Sequence, residues 1–135
     1  MKHWLLKTEP GDYGYDDLEA EGSARWDGVK NNQALLFMRE MKKGDDGLIY
    51  HTGKEKQIVG RFCVTKENYP DPDADNERFV VIDIKATGKL AAPVTLAAVK
   101  SDSAFDEFLL VRNSRLSVMP VPAPLWKRLL KMGGC

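Results

Sequence analysis

The segment Gln57 to Thr65 constrains the fold more than any other part of the chain, because its side chains alternate in character. Ile58, Gly60, Phe62 and Val64 fall on one parity, and Val59, Arg61, Cys63 and Thr65 on the other. A period of two belongs to an extended strand with one face turned to a core. Leu48-Ile49-Tyr50 and Phe79 to Ala86 read as further strands, set off by the polar turns Thr52-Gly53-Lys54 and Pro70-Asp71-Pro72-Asp73. His3 to Thr8 is a short apolar strand stopped by Glu9-Pro10-Gly11-Asp12. Arg115 to Val121 is another, and Pro120, Pro122 and Pro124 confine its pairing to a sheet edge.

Helical signals are shorter. From Asn32 to Lys43, Leu35, Met38 and Met41 recur every three residues, Asn31 or Asn32 can cap the start, and Gly44 can take a left-handed end conformation. Asp12 to Glu21 holds a short helix from about Asp16, and Leu96 to Lys100 and Ala104 to Leu109 hold single helical turns. Pro124 to Met132 is amphipathic, with Leu125, Leu129 and Met132 inward, Lys127, Arg128 and Lys131 outward, and Gly133 at its end. Gly22 to Lys30 reads as a loop carrying Trp26, and Asp71 to Arg78 as a mobile loop rich in proline and acid. Strands with short, segregated helices give an α+β class and a small curled or closed antiparallel sheet.

At 135 residues the chain suits one domain over 1–135, with no repeat or linker to divide it. No apolar run approaches the roughly 18 residues of a membrane span, and charge interrupts the start before a signal sequence can develop. Cys63 and Cys135 lack the spacing of a metal site or a disulfide framework, so a reduced compartment is expected, cytoplasmic or, in a eukaryote, nuclear. The 20 basic and 20 acidic residues cancel. Net charge therefore gives no hold on a polyanion, and nucleic-acid contact requires a local basic face.

Catalytic patterns are sparse. His3 and His51 are the only histidines, and neither a Gly-x-Ser-x-Gly turn nor a phosphate-cradling glycine loop is present. Asp71, Asp73 and Asp75 imitate the start of a calcium loop but lack its glycine and closing glutamate. No metal or cofactor is expected. Lys7-Thr8-Glu9 collects a cation, a hydroxyl and a carboxylate at a strand end, either as a surface ion pair or as groups able to read a base edge. Trp26, followed by Asp27-Gly28, either plugs the core or offers a stacking face to a flat ligand. Tyr50-His51-Thr52 brings polar groups to the end of another strand, where His51 can bond backbone or ligand. Arg112-Asn113-Ser114-Arg115 is basic without acidic neighbours in its run and could meet phosphates.

Four separated stretches, in order, resemble the EVE domain family: Trp4 to Pro10, Trp26 to Asn31, Met41 to Asp45 leading to Tyr50-His51-Thr52, and Leu110 to Pro120. The resemblance implies a PUA-like fold, a compact, mostly antiparallel small β-barrel with peripheral short helices. It also implies a non-catalytic reader of a modified base, methylated or hydroxymethylated cytosine being favoured, in DNA more than RNA. Carried over by position, the pocket would draw on Lys7, Thr8, Glu9, Trp26, Asn31, Tyr50, His51 and Thr52, with Lys30, Arg112 and Arg115 toward the nucleic-acid backbone. The chain departs from the family pattern at Thr8, Lys30 and Asn113, where serine, arginine and glutamine are commoner. Lys30 keeps a charge but not the planar fork of arginine. Two other readings stay open: an enzyme acting on a nucleotide or RNA with Glu9 and His51 as acid and base, and a module binding a small molecule or a protein.

Overall fold

A computed structural model describes residues 1–135. The elements, in order, are β1 (His3–Thr8), α1 (Tyr15–Glu21), β2 (Ser23–Trp26), α2 (Asn32–Glu40), β3 (Asp46–His51), β4 (Gln57–Pro70), β5 (Val80–Thr95), α3 (Leu96–Lys100), a 3-10 turn (Ser103–Phe105), α4 (Leu109–Arg112), β6 (Val118–Pro120) and α5 (Ala123–Met132). The strands form a single six-stranded sheet in the order β2-β5-β4-β3-β1-β6. Only the β1–β3 pair is parallel, and it sets Lys7 beside Tyr50 and Thr8 beside His51. The fold is thus α+β and PUA-like in its curled sheet. It differs from the expected barrel because the sheet is not closed: β2 and β6 remain its two ends. Helix α2 packs against both β6 and β5, so its buried Ala34, Leu35 and Met38 fill the gap where strands would otherwise have to meet.

The sequence pattern explains where each strand sits. Trp4, Leu5 and Leu6 are all buried, as suits an interior strand covered on both faces. In β4 the expected parity holds, with Ile58, Gly60, Phe62 and Val64 buried and their neighbours half-buried. Gly60 is required there because the Tyr15 ring lies flush on it, and any Cβ would enter that ring. Gly47 gives way to the Phe62 ring in the same manner. The buried apolar side chains other than Val81 form one continuous cluster, joined by α5 through Trp126 and Leu129. His3 stacks on Trp126 with ring centroids 4.2 Å apart. No helix is long and apolar enough to cross a membrane.

Several boundaries differ from expectation. Helix α2 stops at Glu40 instead of Lys43, and Met41, in extended conformation, ends it in place of Gly44. The cause is Asp45, a buried carboxylate that accepts from the backbone N–H groups of Lys42 (3.0 Å) and Lys2 (3.2 Å) and from the Trp4 indole (2.9 Å). Holding Lys42 in that turn pulls the chain off the helical path. Strand β5 runs through Gly88 to Thr95, well beyond Ala86, by absorbing several register shifts against β4. The expected loop around Trp26 contains β2, an edge strand that pairs antiparallel with β5.

Candidate nucleic-acid interface

Side chains of successive strand residues point to opposite faces, and at the end of β1 this separates residues adjacent in sequence. Thr8 turns to a hollow of about 490 Å³ lined with Tyr13, Glu21, Ala24, Arg25, Trp26 and Asp27. Lys7 turns to a second cleft of about 290 Å³, which it shares with Tyr50 of β3, with Thr52 just beyond that strand, and with Gly53, Lys56, Lys100 and Ser114. The two hollows are joined by the pairing of strand ends, in which the Thr52 N–H donates to the Thr8 carbonyl at 2.9 Å.

In the first hollow, Trp26 is 8% exposed. It belongs to the core and also lines the hollow. Tyr13 meets it edge to face, with centroids 6.1 Å apart and planes at 76°. The Tyr13 loop is pinned to the end of β1: the Thr8 hydroxyl donates to the Tyr13 carbonyl at 2.6 Å, and the Tyr13 N–H donates to the Glu9 carbonyl at 2.9 Å. The Tyr13 hydroxyl is buried without a hydrogen-bond partner. Burial first, then the charge of nearby Glu21, push this phenol up to about 12. Glu21 acts on it electrostatically, but the geometry is not that of a made hydrogen bond, so the hydroxyl stays unpaired. Arg25 is held by Asp73 at 2.7 Å and Asp27 at 3.6 Å.

In the second cleft, the Lys7 ammonium donates to the Ser114 carbonyl at 3.0 Å and lies 5.6 Å from the centre of the Tyr50 ring. Burial lowers the Lys7 pKa and raises that of Tyr50.

The remaining expected site residues are occupied elsewhere. The His51 Nε2 accepts the Tyr15 N–H at 3.0 Å, which leaves Nδ1 to carry the proton and donate to Glu55 at 2.9 Å. Both ring nitrogens of this buried histidine are therefore committed. Glu9 accepts from the Gly11 N–H at 3.1 Å and the Thr52 hydroxyl at 3.2 Å. An acid–base pair of Glu9 and His51 would have to break these bonds first. Asn31 caps α2 by accepting the Ala34 N–H at 3.0 Å. Lys30 lines a third hollow, facing the acidic loop that carries Asp71, Asp73 and Asp75. Arg112 is not unpaired as its local run suggested: Glu107 holds it at 2.8 Å and raises its pKa. Arg115 is exposed, and its backbone N–H is bonded to Asn113. Sequence reasoning passed over Tyr13, Glu21, Ala24, Arg25 and Asp27. Tyr13 alone carried a signal, an aromatic between Gly11 and Gly14, the glycine-flanked kind of setting that drew attention to Trp26.

A profile of the EVE domain matches residues 2–132, nearly the whole chain. The chain belongs to the EVE family. A protein of Rhodopseudomonas palustris solved by NMR is 43% identical, covers 99% of this EVE chain and 94% of its own, and superposes with a TM-score of 0.94. Human thymocyte nuclear protein 1 is 29% identical over 88% of this chain and 68% of its own length. A crystal structure of human THYN1 in complex with DNA containing 5-methylcytosine is 28% identical, covers 100% of this chain and 99% of its own, and has a TM-score of 0.91.

Proposed function

We propose that this EVE domain binds DNA and reads a methylated or hydroxymethylated cytosine held in the Trp26–Tyr13 hollow. The observation that carries the reading is the hollow itself: about 490 Å³, walled by two aromatic rings and rimmed by Thr8, Glu21, Arg25 and Asp27. That volume lies in the roughly 300 to 1,000 Å³ range of small-ligand sites. The 5-methylcytosine DNA bound by human THYN1 supplies the ligand class. The chemistry of the lining agrees with cytosine. Glu21 and Asp27 are acceptors for its exocyclic amine, the unpaired Tyr13 hydroxyl is a donor for a ring acceptor, and Ala24 offers apolar surface to a methyl group.

The base would enter flipped from a duplex or already unpaired. Extrusion costs a few kcal/mol, and stacking on an aromatic ring returns about 1 to 3 kcal/mol. Binding thus depends on the pocket's further contacts: the polar ones hold the cytosine edge, and the apolar surface of Ala24 is where a 5-methyl group is told from hydrogen. The chain then works wherever the cell keeps its DNA, in the bacterial cytoplasm or a nucleus.

The test is a titration of oligonucleotides that differ only in the modification of one cytosine, against the wild type, Trp26→Ala and Tyr13→Phe. The wild type should prefer a modified oligonucleotide, Trp26→Ala should lose that binding, and Tyr13→Phe should weaken the preference while keeping the ring. Equal, weak binding of every oligonucleotide by the wild type would overturn the reading.

A further inference from the structure

We infer that the cleft on the other face of β1, formed by Lys7, Lys56 and Lys100, binds a backbone phosphate of the same DNA strand whose base occupies the Trp26–Tyr13 hollow. The inference rests on the reading of that hollow as a base pocket and extends it to the strand's path across the protein.

The chain is neutral overall, yet its cations are unevenly spent. Lys42, Lys89, Arg25, Arg61, Arg112 and Arg128 all stand in ion pairs with carboxylates. Lys7, Lys56 and Lys100 are among the cations that form none, and these three line one cleft. Lys7 is half-buried, and its ammonium donates to a carbonyl oxygen and lies beside an aromatic ring, with no carboxylate paired to it. A cation withdrawn from water without a counter-charge is costly, and an anion in the cleft would relieve that cost. Burial lowers the Lys7 pKa, the direction expected for such a site.

Lys56 adds a separate observation. It is the one residue other than glycine with a positive φ, 47°. Its carbonyl is fixed by the Leu96 N–H at 2.8 Å, so the strained backbone is held in place by the start of α3. Strain of that kind collects where a side chain must be aimed. Glu9 lies beside Gly53 of this cleft and bonds the Gly11 N–H and the Thr52 hydroxyl, and it forms no ion pair with the three lysines.

The placement relative to the hollow favours a nucleic-acid phosphate. Thr8 lines one site and Thr52 the other, and they are bonded through their backbones. A strand crossing these paired ends meets both sites in turn. Three lysines lining one cleft offer charge to a phosphodiester, where the contact positions the strand and carries no sequence information.

The test measures DNA affinity against salt concentration for the wild type, the double variant Lys56→Gln/Lys100→Gln, and the charge-preserving Lys56→Arg/Lys100→Arg. Both positions are exposed, and matching melting curves check that folding is intact. The glutamine variant should bind modified and unmodified oligonucleotides about tenfold more weakly, with the slope of log K on log salt reduced by about 1 to 2. Its preference for the modified base should be unchanged, and the arginine variant should recover most of the affinity. A single uncharged methylphosphonate linkage beside the modified base should reproduce the loss in the wild type and add little to it in the glutamine variant. Wild-type affinity and slope in the glutamine variant would overturn the inference, as would a loss confined to the modified oligonucleotide. Stabilisation of the wild type by millimolar inorganic phosphate, with DNA binding indifferent to both substitutions, would assign the cleft to a free phosphate and also overturn it. If the wild type shows no preference among modifications but the glutamine variant still loses slope, the base reading fails and the phosphate site stands.

Discussion

Two pairs of aromatic residues divide this molecule into a finished part and an unfinished one. Trp4 is 1% exposed and its indole N–H is taken by the buried Asp45 carboxylate. Tyr15 is equally buried, and its hydroxyl donates to the Arg61 carbonyl at 2.6 Å and accepts the Gly88 N–H at 3.0 Å. Their counterparts Trp26 and Tyr13 pack edge to face beside a hollow, and the Tyr13 hydroxyl is buried with no partner. A buried polar group without a partner is expensive. The contrast shows where the chain completes its own structure and where it leaves groups for something else to complete.

The largest effect belongs to the finished part. Asp45→Ala removes one acceptor from three donors at once, the Trp4 indole and the N–H groups of Lys2 and Lys42. The buried Trp4 donor left unmade costs about 1 to 3 kcal/mol, and the part-buried N–H groups of Lys2 and Lys42 cost less each. Chemical denaturation should show a loss of about 3 to 5 kcal/mol, while the remaining folded protein keeps its preference among DNA ligands. A loss of less than about 1 kcal/mol would mean the corner is not completed internally and would erase the contrast.

Next comes the same substitution at both tryptophans. Trp4→Phe empties part of a closed core and deprives Asp45 of a donor, so a cost of about 3 kcal/mol is expected. Trp26→Phe opens volume toward an existing hollow and should cost about 1 kcal/mol. Binding should reverse the order, with Trp26→Phe weakening it and Trp4→Phe leaving it intact in the folded fraction. Equal stability costs would place Trp26 in the core alone and break the comparison.

These differences also mark what could be read from sequence. The alternation in β4 and the three-residue recurrence in α2 are local, and both are legible because the residues that pack together lie within a turn or two of each other. Strand β2 is four residues long with only Trp26 buried, and its partner in β5 lies more than fifty residues along the chain, so no local period announces it. The parallel pairing of β1 with β3 is equally nonlocal. At the site, Lys7 and Thr8 were grouped because they are adjacent in sequence, yet the strand's own alternation sends them to separate hollows. His51 was legible as a possible backbone partner, whereas the Arg112–Glu107 pair depended on a turn geometry that no pattern in the run reveals.

The smallest effect separates the two tyrosines. Tyr15→Phe strands the Arg61 carbonyl and the Gly88 N–H and should cost about 1 to 2 kcal/mol. Tyr13→Phe removes a hydroxyl that has no partner and should leave stability nearly unchanged or slightly higher near neutral pH. Alkaline pH sharpens the point. The Tyr13 phenol is raised from its ordinary 10 to about 12, so between these values the unfolded chain releases its proton while the folded chain keeps it. The stability contributed by the neutral phenol is whole below pH 10 and lost as pH rises toward about 12. Tyr69, bonded to Asp83 at 2.6 Å and likewise raised to about 12, contributes in the same window. Denaturation curves across this range should therefore decline less steeply for Tyr13→Phe than for the wild type, with the Tyr69 contribution common to both. Identical slopes would show that the Tyr13 hydroxyl is solvated, and the hollow would then lack the one polar group that most calls for a ligand.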